Sequence, residues 1–463
     1  MANGRGHTPE EPASRQGSHS KRDLANQRRL DALGEAVDQR NGVLRRRRNV
    51  RPHRVRRRII IASVSLVAAV AAVVGGGYLY ANWRFDQIHR VTVKYEASLP
   101  LSGQPFNILM IGSDSRAGLT GLLAKQTGAV TTPGQRSDVV KIVHVDPKTG
   151  TISMVSIPRD TVVTLLANQS LYGKFNRINV NFGNGPSLLA RTITANFAIP
   201  IHQTIVVSIA GLINAADALG GARLDFPYPS RDPYSGLNIP HPGCQLIQGV
   251  QALAVSRSRH MYYNVKGSSY WPRNATSAAL ASSSAIDNEV YNLGWYSDPT
   301  SDFGRIIRQN VLLRSMVDQA KKLYNPLTIN AFLSKLPQGI TLDSNFSFNE
   351  LVGLAVRFHG INANAIQTYT LPTLSVTNAN LGDVLFVDQP SAQQLLVRIF
   401  GSELTSPTNP PPNASLQTPP PPVITTTTST TTTSPPPGKK KPTSSTTTTN
   451  PTLAQPNFDP RPC

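Results

Sequence analysis

Between Ile59 and Trp83 the chain runs for 25 residues without a charge, IIIASVSLVAAVAAVVGGGYLYANW. About 20 apolar residues are enough to cross a bilayer as a helix, so this run reads as one transmembrane span. It divides the chain in two. Ahead of it, residues 1–58 hold 16 Lys/Arg against 6 Asp/Glu, a local net of +10 and half of the formal +20 of all 463 residues. That arm is polar and poor in aromatics, which reads as disordered. Arginines crowd its end, and Tyr78, Tyr80 and Trp83 close the apolar run, as the positive-inside rule and the interfacial belt require. The arm is therefore expected in the cytoplasm, and everything past Arg84 outside. A cleaved signal peptide is the rival reading, since AxA-like patterns are present. The arm is too long for its n-region and the run too long for its h-region. A basic arm can also bind nucleic acid. Beside a span, anionic lipid and topology explain it more simply, so no nucleic acid is expected.

Past a stalk over 84–104, the folded part is organised by Gln135–Asp160. The extended runs Val139–Val145 and Ile152–Ile157 flank Pro147-Lys148-Thr149-Gly150, whose Pro presets φ and whose Gly accepts positive φ. Two such runs across a short turn read as an antiparallel hairpin. A turn centred between Lys148 and Thr149 puts Asp138 opposite Arg159. Arg136, Asp138, Arg159 and Asp160 then meet at one end of the hairpin. Apolar residues on both strand faces indicate a sheet covered on both sides, with those charges at its rim. Arg–Asp pairs at strand ends are also ordinary surface ion pairs worth little, and that reading stands beside the functional one.

The remaining elements follow in order. Phe106–Ile111 reads as a buried strand ending in Gly112-Ser113-Asp114-Ser115-Arg116. A helix is expected over about Pro186–Phe197, a strand over Thr204–Ile209, a helix over Ala210–Leu219 stopped by Gly220-Gly221, and a strand over Ala222–Phe226. Residues 227–248 read as a Pro/Gly loop and Gly249–Val255 as a short helix. Residues 261–300 read as irregular and aromatic, either mobile or functional. A long helix from Asp302 to about Tyr324, helices near Ile329–Leu336 and Phe348–Phe358, a strand near Gln367–Leu371 and a helix near Ser391–Phe400 complete a mixed α/β domain. From about 402 the chain is Pro/Thr/Ser-rich and reads as a disordered tail. The two cysteines, Cys244 and Cys463, make no metal or disulfide framework, although a bridge between them is possible.

The polar residues at element ends form a set: Asp114, Arg116, Arg136, Asp138, Arg159, Asp160, Lys174, Arg257, Arg259, Arg305 and Gln309. Arginine forks grip phosphate oxygens bidentately. Carboxylates among them would hold Mg²⁺, which takes a few protein oxygens plus phosphate and water. The combination is the usual clamp on a phosphoryl group in transfer. The set contains no P-loop, dinucleotide fingerprint, HExxH or GxSxG, which points to a donor that already carries phosphate or pyrophosphate. His260 reads as a candidate base or as a residue orienting Arg259. Lys174 reads as a phosphate contact or as a solvated lysine.

GSDSR (112–116), RSD (136–138), IPRD (157–160), KFN (174–176), ALGG (218–221), SRSRH (256–260) and DFGRIIRQ (302–309) occur here in the order and spacing of the LytR–CpsA–Psr proteins. The chain resembles that family over about residues 106–325. The resemblance implies an α/β/α sandwich with a mixed central sheet over 105–401, preceded by one transmembrane helix at 59–83 and followed by the tail. It implies a membrane-anchored phosphotransferase that moves a glycopolymer from a polyprenyl-pyrophosphate carrier to peptidoglycan. By motif match, Arg159, Asp160, Arg257 and Arg259 would be catalytic. Arg136, Lys174, Arg305, Gln309 and Arg116 would hold the pyrophosphate, and Asp114 and Asp138 the Mg²⁺. The acceptor would be a peptidoglycan sugar hydroxyl, with Asp114 and Asp160 better placed as base than His260. An actinobacterial layout would make the polymer arabinogalactan. The 261–300 segment departs from the pattern by its length and would form a lid. A pyrophosphate hydrolase and a membrane-anchored regulator with a DNA-binding arm are the alternatives. The sequence leaves the oligomeric state open.

Overall fold

The structure is a computed structural model that describes residues 21–48, 52–94, 97–98, 103–115, 136–322, 326–358, 360, 362, 365–401, 404, 406–413 and 457–463. The chain divides into two units, Met1–Leu79 and Tyr80–Cys463. In the first, Lys21–Arg48 is a helix, where the sequence reading expected disorder. The reason is local: the stretch is rich in Leu, Ala, Arg and Gln, contains no proline, and forms helix without needing a core. A second helix, Pro52–Asp86, carries the uncharged run, and Val55–Asp86 is long and apolar enough to cross a membrane. Ile59, Ile60, Leu66, Val67 and Val73 along it are exposed, as a lipid-facing helix requires.

The second unit begins earlier than expected. The segment read as a stalk starts in the core, because Phe85 and Ile88 pack with Leu333, Leu336 and Phe346. His89–Val91 is the edge strand of a seven-stranded mixed sheet. Across that sheet the order is His89–Val91, Ile340–Asp343, Gln203–Val207, Phe106–Ser113, Ser137–Asp146, Thr151–Ile157 and Gln367–Thr370. The central hairpin has the expected register: Val140 pairs with Ile157 and Val145 with Ile152. Val140 and Ile142 face a core built with the helices Pro186–Phe197 and Ser391–Phe400, through Leu189, Ile193 and Leu396. The opposite face meets the helices Ile209–Ala218, Gly249–Arg257 and Asp302–Ala320, the last called the site helix below. The domain is thus a sheet between two helical layers.

Three regions are more ordered than the sequence indicated. The supposed loop 227–248 contains the strands Ser230–Asp232, Leu237–Ile239 and Gly243–Ile247. Residues 261–300 hold Tyr262–Asn264, two helices over Ser277–Ser282 and Ser284–Asn292, and Trp295–Ser297, around a small core of Tyr262, Ala275, Val290 and Trp295. Apart from Gly243–Ile247, these strands are three residues long, too short for alternation to show. Of the tail expected from 402 onward, 414–456 lie outside the described residues, and the last seven are not free. Arg461–Pro462 pairs with Ala222–Phe226, and Cys463 forms a disulfide with Cys244.

Candidate active site

A cavity of about 520 Å³ lies between the sheet and the second helical layer. One end is apolar, walled by Met110, Ile111, Val207, Leu212, Leu253 and Leu312. The other end is charged, with Asp114, Arg136, Asp138, Arg159, Arg257, Arg259, Arg305 and Gln309 in its lining. Strand ends bring most of these together. Phe106–Ser113 and Ser137–Asp146 pair down to Gly112 and Val139, where a Cβ on Gly112 would strike Val139 Cβ at 2.7 Å, so glycine permits the close approach. The register then shifts at a bulge, Ser113 pairs with Ser137, and Asp114 Oδ1 accepts from Arg136 N at 2.9 Å.

The hairpin rim closes as its register requires, with Arg159 Nη1 donating to Asp138 Oδ1 at 2.5 Å. Burial alone would lower the Arg159 pKa, but Asp138 and Asp160 outweigh it and hold it above its usual value. Asp302, at the start of the site helix, accepts from Arg259 Nε at 2.7 Å and from Arg305 Nη2 at 3.1 Å. Arg305 also donates to the Asp138 carbonyl at 3.3 Å, and its side chain is only 5% exposed. Burial, with Arg259 and Arg159 nearby, lowers its pKa to about 10 despite Asp302. Lys141, wholly buried in the cavity lining, donates to Ser156 Oγ at 2.7 Å and Asn310 Oδ1 at 2.6 Å. Burial, then the Arg305 charge, brings its pKa down to about 7. Crowded cations of this kind are destabilising without an anion and mark a site built to receive one.

The segment carrying Arg257 and Arg259 is hung from two anchors. Asp232, fully buried, accepts at Oδ2 from Ser258 Oγ (2.7 Å), Arg259 N (3.0 Å) and His260 N (3.1 Å). From the site helix, Gln309 Nε2 donates to Ser256 O at 2.8 Å and Arg308 Nη2 to Ser258 O at 3.0 Å. The exposed His260 lines the cavity, its ring 4.6 Å from that of Tyr234.

Three expected site residues stand elsewhere. Arg116 lies outside the described residues. Lys174 is exposed, with Nζ 5.4 Å from the centre of the Phe175 ring, and lines neither this cavity nor the next. Asp160 lies in a neighbouring cavity of about 390 Å³ that shares Arg136, Arg159 and Arg259. There it pairs with Arg159 (3.4 Å), Arg177 (3.3 Å) and Arg259 (3.8 Å). The sequence reading left Asp302, Asp232, Arg177 and Lys141 unassigned. Only Asp302 carried a local signal, its i,i+3 spacing to Arg305.

Asp114 and Asp138 end neighbouring strands and line one cavity, a donor set that fits Mg²⁺, which is bound by one or two carboxylates plus phosphate and water. Among the described residues no group of three or more His, Cys, Asp or Glu is placed to hold a metal. An ion here would need oxygens from the ligand.

The probable cell wall biosynthesis protein LcpB of Corynebacterium glutamicum is 26% identical over 323 residues, covering 69% of this chain and 66% of its own length. The polyisoprenyl-teichoic acid–peptidoglycan teichoic acid transferase TagV of Bacillus subtilis is 26% identical over 339 residues, covering 70% of this chain and 72% of its own. Among solved structures, the LytR-Csp2A-Psr enzyme of Actinomyces oris superposes with a TM-score of 0.49 at 20% identity, covering 70% of this chain and 97% of that one. The LytR_cpsA_psr family pattern matches residues 81–268 and 295–399, well over half of the sequence, and the chain belongs to that family.

Proposed function

We propose that this protein is a membrane-anchored phosphotransferase that moves a cell-wall glycopolymer from a polyprenyl-pyrophosphate carrier to peptidoglycan. The observation that carries the reading is a single cavity with an apolar end and a cation-crowded end. An isoprenoid chain suits the first and a pyrophosphate the second. The relatives named as teichoic acid transferases support the same class of reaction. The disulfide Cys244–Cys463 supports a domain outside the cytoplasm, where such bridges persist. The arginines ahead of the span favour the same orientation. Arabinogalactan, the polymer implied by the resemblance, enters the proposal through the corynebacterial relative and through no residue of the cavity.

In the reaction, the oxygen of a peptidoglycan hydroxyl bonds to the polymer-side phosphorus. The bond from that phosphorus to the bridging oxygen breaks, and polyprenyl phosphate leaves with that oxygen. The hydroxyl proton passes to Asp114, which lines the cavity. Arg136, Arg159, Arg257, Arg259 and Arg305 neutralise charge on the phosphoryl oxygens, where fixed donors act most strongly because they need no reorganisation. Mg²⁺ held by Asp114 and Asp138 would add to that neutralisation when bound.

The test is release of polyprenyl phosphate from a polyprenyl-pyrophosphate glycan by the purified full-length protein, with and without peptidoglycan. Release should require the acceptor and fall about 100-fold or more in Arg257→Ala and Arg159→Ala. Equal release without acceptor would make the protein a hydrolase, and full activity in both variants would dismiss the site.

A further inference from the structure

We propose that the C-terminal peptide Asn457–Cys463 is a working part of this site, and that Asp459 is a positioning residue acting through Arg308. The peptide is held in four ways. Phe458 stacks on Tyr263 with ring centres 4.5 Å apart and planes 5° apart. Asp459 Oδ1 accepts from Arg308 Nη1 at 2.6 Å. Arg461 and Pro462 pair with Asp225 and Leu224. Cys463 is bonded to Cys244.

Of these contacts, the second reaches the site. Arg308 and both of its carboxylate partners, Asp298 and Asp459, are completely buried. Nη1 is shared, with Asp298 Oδ2 at 2.8 Å on one side and Asp459 on the other. The guanidinium is planar and rigid, so its position between the two carboxylates sets where Nη2 points. Nη2 donates to Ser258 O, between Arg257 and Arg259. Arg308 also stands one turn from Arg305 and beside Gln309 on the site helix. Gly304 has no room for a side chain because Asp298, Thr300 and Arg308 occupy that space. Withdrawing Asp459 leaves Asp298 as the only carboxylate on Arg308 and shifts Nη2 away from Ser258. The two arginines on either side of Ser258 then lose one of the anchors that aim them.

For what the site binds, the inference rests on the reading given above. Its test is built to fail separately from that reading. Full-length Asp459→Asn and Cys463→Ser are compared with wild type by three measurements: thermal unfolding, amide hydrogen exchange, and calorimetric affinity for inorganic pyrophosphate with Mg²⁺. Asp459→Asn keeps the side-chain shape. Cys463 is exposed, so its substitution leaves the core intact should the first variant not fold. The expected result is exchange at least tenfold faster over 256–260 and 302–309 and pyrophosphate affinity at least fivefold weaker in the folded variants, whatever the change in Tm. A purely structural role would lower Tm and leave the folded protein's pyrophosphate affinity unchanged, which overturns the proposal. Unchanged exchange over both segments in both variants also overturns it. Faster exchange in a protein whose wild type does not bind pyrophosphate supports the positioning role and counts against the transferase reading.

Discussion

Arg305 and Arg308 stand one turn apart on the same helix in opposite surroundings. Arg305 faces a cavity whose charged end gathers Arg136, Arg159, Arg257 and Arg259 around it. Arg308 faces away from that cavity, sealed between Asp298 and Asp459, one cation against two anions. The first cluster is short of anions and the second has one to spare. A site proposed to accept pyrophosphate carries its imbalance toward the ligand. A cluster that only holds backbone in place keeps its excess carboxylate sealed away from any ligand. The two imbalances should therefore respond oppositely to mutation.

The largest contrast comes from deleting each kind of arginine. Arg308→Ala strands two buried carboxylates, and breaking a buried pair in this way costs about 3–5 kcal/mol. Denaturant unfolding should show that loss. Arg257 is exposed, and Arg257→Ala, which should abolish transfer, should move stability by no more than about 0.5 kcal/mol. Similar stability for the two variants would erase the distinction between the clusters.

The cation-rich side can be sharpened through Lys141. Its pKa in the folded protein is about 7, below the ordinary 10.5, because burial and Arg305 disfavour its charge. The unfolded chain therefore binds more protons across that window, and stability should rise as pH climbs from 7 to 10.5. Lys141→Met should remove that rise. Urea midpoints of both proteins at a series of pH values test it, and parallel curves would show that Lys141 stays charged.

Legibility in the sequence followed distance along the chain. The hairpin rim was readable because a four-residue turn fixes register, and register alone places Asp138 against Arg159. The arginines of the cavity were readable as a family pattern. The anchors behind them were not. Asp232 lies 27 residues from Arg259 in a Pro/Gly stretch with no periodicity. Asp459 lies 151 residues from Arg308, and Cys463 lies 219 from Cys244, beyond a segment whose composition reads as structureless. The start of the domain was hidden because Phe85 stands at the end of a helix whose earlier apolar residues face outward, and Ile88 follows just past its end. Lys174 is exposed and outside the cavity lining, which its place among the site motifs does not reveal.

The anion-rich side has a smaller signature of the opposite sign. Burial pushes the Asp459 carboxyl up to about 6 from an ordinary 3.8, and the nearby Asp298 adds to it against the pull of Arg308. A carboxyl raised in the folded state binds its proton more tightly there than in the unfolded chain. Stability should therefore fall as pH rises from about 4 to about 6 and level off above that, the reverse of the usual ion-paired aspartate. Other carboxylates titrate in the same window, so the readout is the difference between wild type and Asp459→Asn across it. That difference should grow with pH in favour of the asparagine variant and become constant above pH 6. A difference growing in favour of wild type would mean that Arg308 outweighs burial. The C-terminal peptide would then be held by a balanced ion pair rather than by a carboxylate in excess.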